Sequence, residues 1–162
     1  MQLTGMIRTT CPPDRLMAML EDPAVLASLV PAESDIAAKG PGTFAFTIRK
    51  AIGPLKLNMP GTLTITPLDG GTDRRLEAHA SHLIGGKVDV ALDLRLSTLT
   101  GMTVLNYSGT LTASGLANRV LAEYEPRAQN GMRGIFLRLK HRAEGGNQRN
   151  PARPQGKART KA

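Results

Sequence analysis

Residues 114 to 142 constrain the fold most, because their apolar members recur at the spacing of one face of a long α-helix. Those apolar residues are Leu116, Val120, Tyr124, Ala128, Met132, Ile135, Phe136 and Leu139. Ser114 is placed to cap the first turn, and Pro126 predicts a kink or a restart because it lacks the N–H that a helix needs. Nearly everything from residue 33 to 113 has strand character. The helix therefore requires a sheet to pack against.

Two short helices are predicted near the N-terminus, after a first strand in residues 3–8. The first begins at Pro12 and Pro13, because the N–H groups of the first helical turn make no hydrogen bond within the helix and proline can stand there without cost. The second begins at Pro23, behind Asp22 as its cap. A strand followed by two short helices thus precedes the region of strands.

The middle of the chain predicts a meander of antiparallel strands joined by short turns. Residues 69–71 (Asp-Gly-Gly) and the pair Gly85-Gly86 have turn composition. Residues 88–96 give the clearest half-buried strand, because Val or Leu fills every even position and Asp, Ala or Arg every odd one. The whole pattern predicts an α+β protein with a sheet of about seven strands and a long C-terminal helix.

Most of the net charge lies at the C-terminus. Of the formal +8, residues 138–162 contribute +7, from eight Lys and Arg residues and one Glu, and residues 1–137 contribute +1. Residues 143–162 have no apolar side chain larger than Ala or Pro. They cannot bury enough surface to offset the entropy of ordering. We therefore expect a folded domain in residues 1–142 and a disordered basic tail in residues 143–162.

Cysteine content and hydropathy favour a cytoplasmic protein. The single cysteine, Cys11, excludes an internal disulfide and suits a reducing compartment. Cys11 has no obvious base near it in sequence. We therefore expect a buried thiol rather than a catalytic nucleophile. No apolar run reaches the roughly 20 residues of a membrane-spanning helix. The N-terminus lacks the apolar block of a signal peptide.

An Asp-Pro pair and an Ile-Gly-Pro-Leu-Lys turn are the most specific motifs. With the residues around them, they form one set: Leu3, Thr4, Gly5, Pro13, Leu16, Leu20, Asp22, Pro23, Leu26, Pro31, Ile52, Gly53, Pro54, Leu55, Lys56 and Gly61. This set and the order of elements resemble the CoxG family of carbon monoxide dehydrogenase subunits, which belongs to the START-like (SRPBCC) superfamily. The resemblance covers residues 1 to about 140 and implies the helix-grip fold, in which a curved sheet wraps a long helix. The chain departs from the family at Ala78, Ala80 and His82, where members often carry glycine.

The resemblance implies an accessory protein, not an enzyme, that binds a hydrophobic molecule. An isoprenoid quinone such as menaquinone or ubiquinone is the implied ligand. The implied partner is a molybdenum hydroxylase of the carbon monoxide dehydrogenase type, which the protein would serve in assembly, membrane recruitment or electron delivery.

A ligand cavity is expected between the long helix and the sheet, with its entrance near the two short helices. Its candidate lining residues are Leu57, Met59, Leu63, His82, Val90, Leu92, Leu94, Tyr107 and Met132. The aliphatic members of this set would equally form the core of any sheet packed on a helix. His82 would equally be a hydrogen-bonded histidine near a strand end.

Alternative functions remain open at this stage. His79 and His82 are three residues apart on a strand, so they lie on opposite faces, which disfavours a shared metal site. A polyketide cyclase-like enzyme would use Tyr107, His82 and Asn106 in the same cavity. The tail favours an anionic membrane surface as its partner. It disfavours nucleic acid, because it has no aromatic side chain on which bases could stack.

Overall fold

The computed structural model describes residues 1–30, 35–52, 54–82, 84 and 86–145, without the side chains of 50–52, 55, 57 and 120–128. The predicted tail therefore lies outside the described residues from 146 onward. The elements are β1 (Gln2–Thr9), α1 (Pro13–Leu20), α2 (Pro23–Leu29), β2 (Asp35–Gly40), β3 (Thr43–Ile52), β4 (Leu55–Pro67), β5 (Arg74–His82), β6 (Gly86–Leu99), β7 (Met102–Ser114) and α3 (Leu116–Glu144).

The seven strands form one antiparallel sheet in the order β1-β7-β6-β5-β4-β3-β2. Strands β2 to β7 are a meander, because each pairs with the next along the chain. Strand β1 pairs with β7, so the first and last strands are neighbours. The predicted α+β class and strand number are confirmed.

The predicted turn at residues 69–71 is confirmed and has a clear backbone cause. Asp69 and Gly70 both lie in the left-handed region, with φ of 58° and 73°. Two successive residues of positive φ give a turn whose twist matches that of the antiparallel strands it joins. The Leu68 N–H closes the connection by donating to the Asp73 carbonyl at 2.9 Å.

The start of α2 also follows the sequence. The Asp22 carboxylate accepts a hydrogen bond from the Ala24 N–H at 2.9 Å, and Pro23 occupies the first helical position. Helix α2 packs against β2, and its last carbonyl, on Leu29, accepts two hydrogen bonds from Arg138 of α3, at 2.9 and 2.7 Å. The short helices are therefore fixed to both the sheet and the long helix.

Helix α3 differs from its prediction at three points. Ser114 is the last residue of β7 and does not cap the helix; Gly115, with φ of 68°, makes the sharp change from strand to helix that a side chain would resist. The helix continues through Pro126 as a single element, so it does not restart there, while the kink expected at this proline stays a prediction. It also extends to Glu144, past the predicted boundary at 142, because Ala143 is buried in the core at 3% exposure.

The core lies between α3 and the concave face of the sheet. Helix α3 packs on β1, β6, β7 and α2. The ring of Tyr107 in β7 stacks on that of Phe136 in α3, with centroids 4.1 Å apart and planes 11° from parallel. Tyr107 also covers Gly5 of β1 so closely that a Cβ there would collide with the phenol ring. The fully buried side chains around this contact include Leu3, Leu16, Leu29, Leu92, Leu94, Leu105 and Leu139.

Strand β6 provides a direct test of which face is interior. Leu92 is 2% exposed on the concave face, whereas its neighbour Ala91 is exposed on the convex face. Leu92→Lys should lower the free energy of unfolding by roughly 3 kcal/mol or more, because it buries a charge without a partner. Ala91→Lys should change it by less than about 0.5 kcal/mol. Urea denaturation followed by circular dichroism measures both, and equal effects would contradict the assigned faces.

Candidate functional site

Apolar side chains on the concave face of the sheet are buried at some positions and only half-buried at others. At the end where β1 finishes and α1 begins, Leu16, Leu20, Leu94 and Leu139 are all buried. Toward the end where β6 begins and β7 finishes, a group of apolar side chains remains half-buried. We call this group the concave patch, and its members are Phe46, Ile48, Ala78, Val88, Val90 and Leu111. The entrance expected beside the two short helices stays a prediction.

Helix α3 lies toward one edge of the sheet. It packs on β1, β6 and β7, which form one side of the sheet. Val88, Val90 and Leu111 of the concave patch lie on β6 and β7, whereas Phe46, Ile48 and Ala78 lie on β3 and β5. The concave patch therefore extends across the sheet beyond the strands on which α3 packs.

The predicted lining residues divide between core and patch. Met59, Leu63, Leu92 and Leu94 are buried members of the concave face. Val90 is half-buried within the patch, and Met132 of α3 is half-buried against the core. The side chain of Leu57 lies outside the described residues.

Tyr107 is buried within the core rather than placed beside the patch. It is 3% exposed, and burial raises the pKa of its phenol above the ordinary value, an effect that Arg133 partly opposes. Because both its ring faces are occupied, by Phe136 and by the backbone at Gly5, its role in this structure is packing.

His82 lies at the patch end of the concave face, where β5 finishes. Its Nδ1 accepts a hydrogen bond from the Ile84 N–H at 3.1 Å. A neutral imidazole whose Nδ1 accepts must carry its hydrogen on Nε2. His82 therefore supports the turn after β5, and its ring is half-buried at this end of the sheet.

Sequence reasoning missed the contact between Phe46 and Gly61. The two residues are partners across β3 and β4, and a Cβ on Gly61 would collide with the Phe46 ring. Glycine thus lets the ring lie against the sheet while remaining half-buried. The available signal was Gly61 itself, because a glycine inside a strand often marks the close approach of another group.

The sequence of the chain also matches a known protein family. The family model of the carbon monoxide dehydrogenase protein CoxG matches residues 5–140, most of the described domain. The chain belongs to the CoxG family. Membership implies an accessory role associated with carbon monoxide dehydrogenase. No curated protein matches the sequence significantly.

Solved structures show the same fold at low identity. A conserved protein from Geobacillus kaustophilus has a TM-score of 0.71 at 15% identity, covering 88% of this chain and 95% of that chain. The Aha1 dimer from Colwellia psychrerythraea scores 0.56 at 13% identity, with coverage of 90% and 98%. The Zhui aromatase/cyclase from a Streptomyces species scores 0.54 at 14% identity, with coverage of 90% and 97%. These similarities identify the START-like fold alone.

The residues considered for a cyclase-like reaction do not meet in this member of the CoxG family. Tyr107 is enclosed by the core, His82 lies at the end of β5, and Asn106 is exposed on the convex face. His79 is also on the convex face, where its Nδ1 pairs with the Asp89 carboxylate at 2.5 Å. The two strand histidines therefore contact different partners on opposite faces, as their spacing predicted.

None of the helices in the described part combines the length and hydropathy needed to span a membrane.

Cys11 is buried, and burial raises the pKa of its thiol, although the charge of Arg15 partly opposes this. Its position matches the buried thiol expected from sequence.

The raised pKa of Cys11 predicts slow alkylation. The thiolate is the reactive form, so burial and a raised pKa both reduce the rate. At pH 8, iodoacetamide should modify folded protein at least about tenfold more slowly than the urea-unfolded chain. Mass spectrometry of timed samples measures the two rates, with Cys11→Ser as the unlabelled control. Similar rates in both states would show that the thiol is accessible in the folded protein.

Proposed function

We propose that this protein binds a hydrophobic small molecule, an isoprenoid quinone, as an accessory protein of carbon monoxide dehydrogenase. The observation that supports this most is the concave patch, whose six apolar side chains stay half-buried on the face of the sheet that also carries the core. Covering such apolar surface with a ligand removes it from water, which favours binding. Family membership supports the association with the enzyme.

The residues at the patch are suited to the two parts of a quinone. An isoprenoid tail is an aliphatic chain, and Val88, Val90 and Leu111 offer aliphatic surface without buried polar groups between them. The quinone ring carries carbonyl oxygens that accept hydrogen bonds, and His82 is a polar side chain at the end of β5, on the face of the sheet that carries the patch. The half-buried ring of Phe46 offers an apolar surface for a planar ring.

The proposed role is that of a carrier rather than an enzyme. The quinone supplies the redox chemistry when bound, and the protein shields its tail from water and positions its ring. Delivery of such a molecule would support assembly, membrane recruitment or electron delivery of a molybdenum hydroxylase in the cytoplasm.

A thermal-shift experiment tests ligand binding. A ligand that binds only the folded state stabilises it by about 2.7 kcal/mol at a hundred times its dissociation constant. Menaquinone with a short isoprenoid tail should therefore raise the melting temperature in a dose-dependent manner, by several degrees at saturation. Val90→Trp should remove most of this shift, because the indole would occupy the patch.

The matched control is Ala91→Trp, which places the same bulk one residue away on the exposed convex face. It should leave the menaquinone shift intact. If menaquinone and ubiquinone both leave the melting temperature of the unaltered protein unchanged, the quinone proposal is wrong.

The basic tail supports recruitment to an anionic membrane surface. Residues 146–162 contain five Lys and Arg residues, no acidic residue and no large apolar side chain, so their attraction to lipid would be Coulombic. Salt should weaken it, because the screening length is only about 8 Å at physiological ionic strength.

Truncation tests this part of the proposal. The cut belongs after Gly145, because Ala143 is part of the core and a cut at 142 would damage α3. Removing residues 146–162 should leave the melting temperature within about 2 °C, since no core residue is lost. Sedimentation with phosphatidylglycerol vesicles should fall markedly. Binding of the full chain to DNA but not to vesicles would favour the nucleic-acid alternative instead.

A further inference from the structure

A basic cleft lies at the outer junction of α2 and α3, away from the concave patch. Its volume is about 550 Å³, and its lining residues are Ser28, Leu29, Leu137, Arg138, His141, Arg142 and Gly145. The residues from α3 lie in its last two turns, so the cleft ends where the basic residues 146–162 begin. In sequence, the residues of α3 that line the cleft are thus followed directly by the basic residues 146–162.

Arg138 is held in place before any partner arrives. Its Nε and Nη2 both donate to the Leu29 carbonyl, at 2.9 and 2.7 Å, which fixes the plane of the guanidinium. A side chain that is already ordered loses less entropy when it binds a second group. An arginine that is fixed in this way is suited to recognising a planar carboxylate, because the guanidinium presents further N–H donors in a rigid plane.

The cleft carries two arginines, Arg138 and Arg142, and no carboxylate in its lining. Arg138, His141 and Arg142 are exposed along the same side of α3, and no described carboxylate forms an ion pair with either arginine. Glu144, the nearest acid on the helix, lies beside Lys140 at 4.0 Å instead. Leu137 adds an apolar side chain that is 50% exposed.

We infer that the basic cleft binds an acidic segment of a protein partner. Carboxylates of that segment pair with Arg138 and Arg142, and one of its apolar side chains packs on Leu137. The concave shape and the fixed guanidinium favour this occupant over a lipid surface, since a flat bilayer does not fill a cleft and gains little from a preordered side chain. This inference rests on the proposed function, because carbon monoxide dehydrogenase is then the partner that supplies the segment.

The experiment measures binding of the full-length protein to purified carbon monoxide dehydrogenase from the same organism by biolayer interferometry. Arg142→Glu should weaken binding at least about tenfold, as expected when a charge pair in a partly buried contact becomes repulsive. Leu137→Ser should also weaken it. Arg133→Glu is the matched control: it reverses an exposed charge on the same helix, outside the cleft, and should change binding less than about twofold.

The outcomes distinguish specific binding of the enzyme in the cleft from attraction by net charge and from binding of lipid. Equal losses from Arg142→Glu and Arg133→Glu would overturn the inference, because attraction would then depend on net charge alone. Unchanged enzyme binding in Arg142→Glu, or no binding by the unaltered protein, would also overturn it. Loss of binding to phosphatidylglycerol vesicles, with enzyme binding intact, would assign the cleft to lipid instead.

The proposed function is measured separately in the same samples. Arg142→Glu should keep its menaquinone-induced thermal shift, because the cleft lies outside the concave patch. A retained shift with enzyme binding unaffected would refute the cleft inference and leave the quinone proposal standing. If menaquinone does not raise the melting temperature of the unaltered protein, the quinone proposal is refuted instead.

Discussion

The stack of Tyr107 on Phe136 determines where the long helix lies, and much of the structure depends on that position. The phenol fits because Gly5 has no side chain beneath it, so β1, β7 and α3 meet at one contact. This contact holds α3 toward the β1 side of the sheet. Phe46, Ile48 and Ala78, on β3 and β5, are half-buried, as are Val88, Val90 and Leu111 on β6 and β7. A packing interaction near one edge thus leaves apolar surface across the rest of the concave face.

Local patterns predicted the strands, turns and short helices, because their causes are local. The alternation of residues 88–96 gave the interior face of β6, where Leu92 and Leu94 are buried. The Asp22 cap and the turn at Asp69 and Gly70 depend on one or two residues each. The family was recognisable because its most specific motifs occur at such turns and helix starts.

Contacts between distant segments were beyond sequence reasoning. Leu92 and Val90 have the same place in the alternation, yet one is buried and the other half-buried, since burial depends on what other elements place over each side chain. The same holds for Tyr107, which the pattern placed inward but could not assign to Phe136. The end of α3 was placed too early because the sequence around Ala143 does not show that this small side chain is buried in the core. Side-chain size and polarity specify a face, whereas burial depends on what packs against it.

The pairing of β1 with β7 has a consequence for synthesis of the chain. Ile7 pairs with Leu105, and Leu3 with Gly109, so the first strand finds its partner only after about a hundred further residues have been made. The meander from β2 to β7 can form progressively, since each strand follows its neighbour. Contacts of such long sequence separation form slowly. The N-terminal strand must therefore remain unpaired on the ribosome until the final strand emerges, and closure of the domain is a late event in its biogenesis.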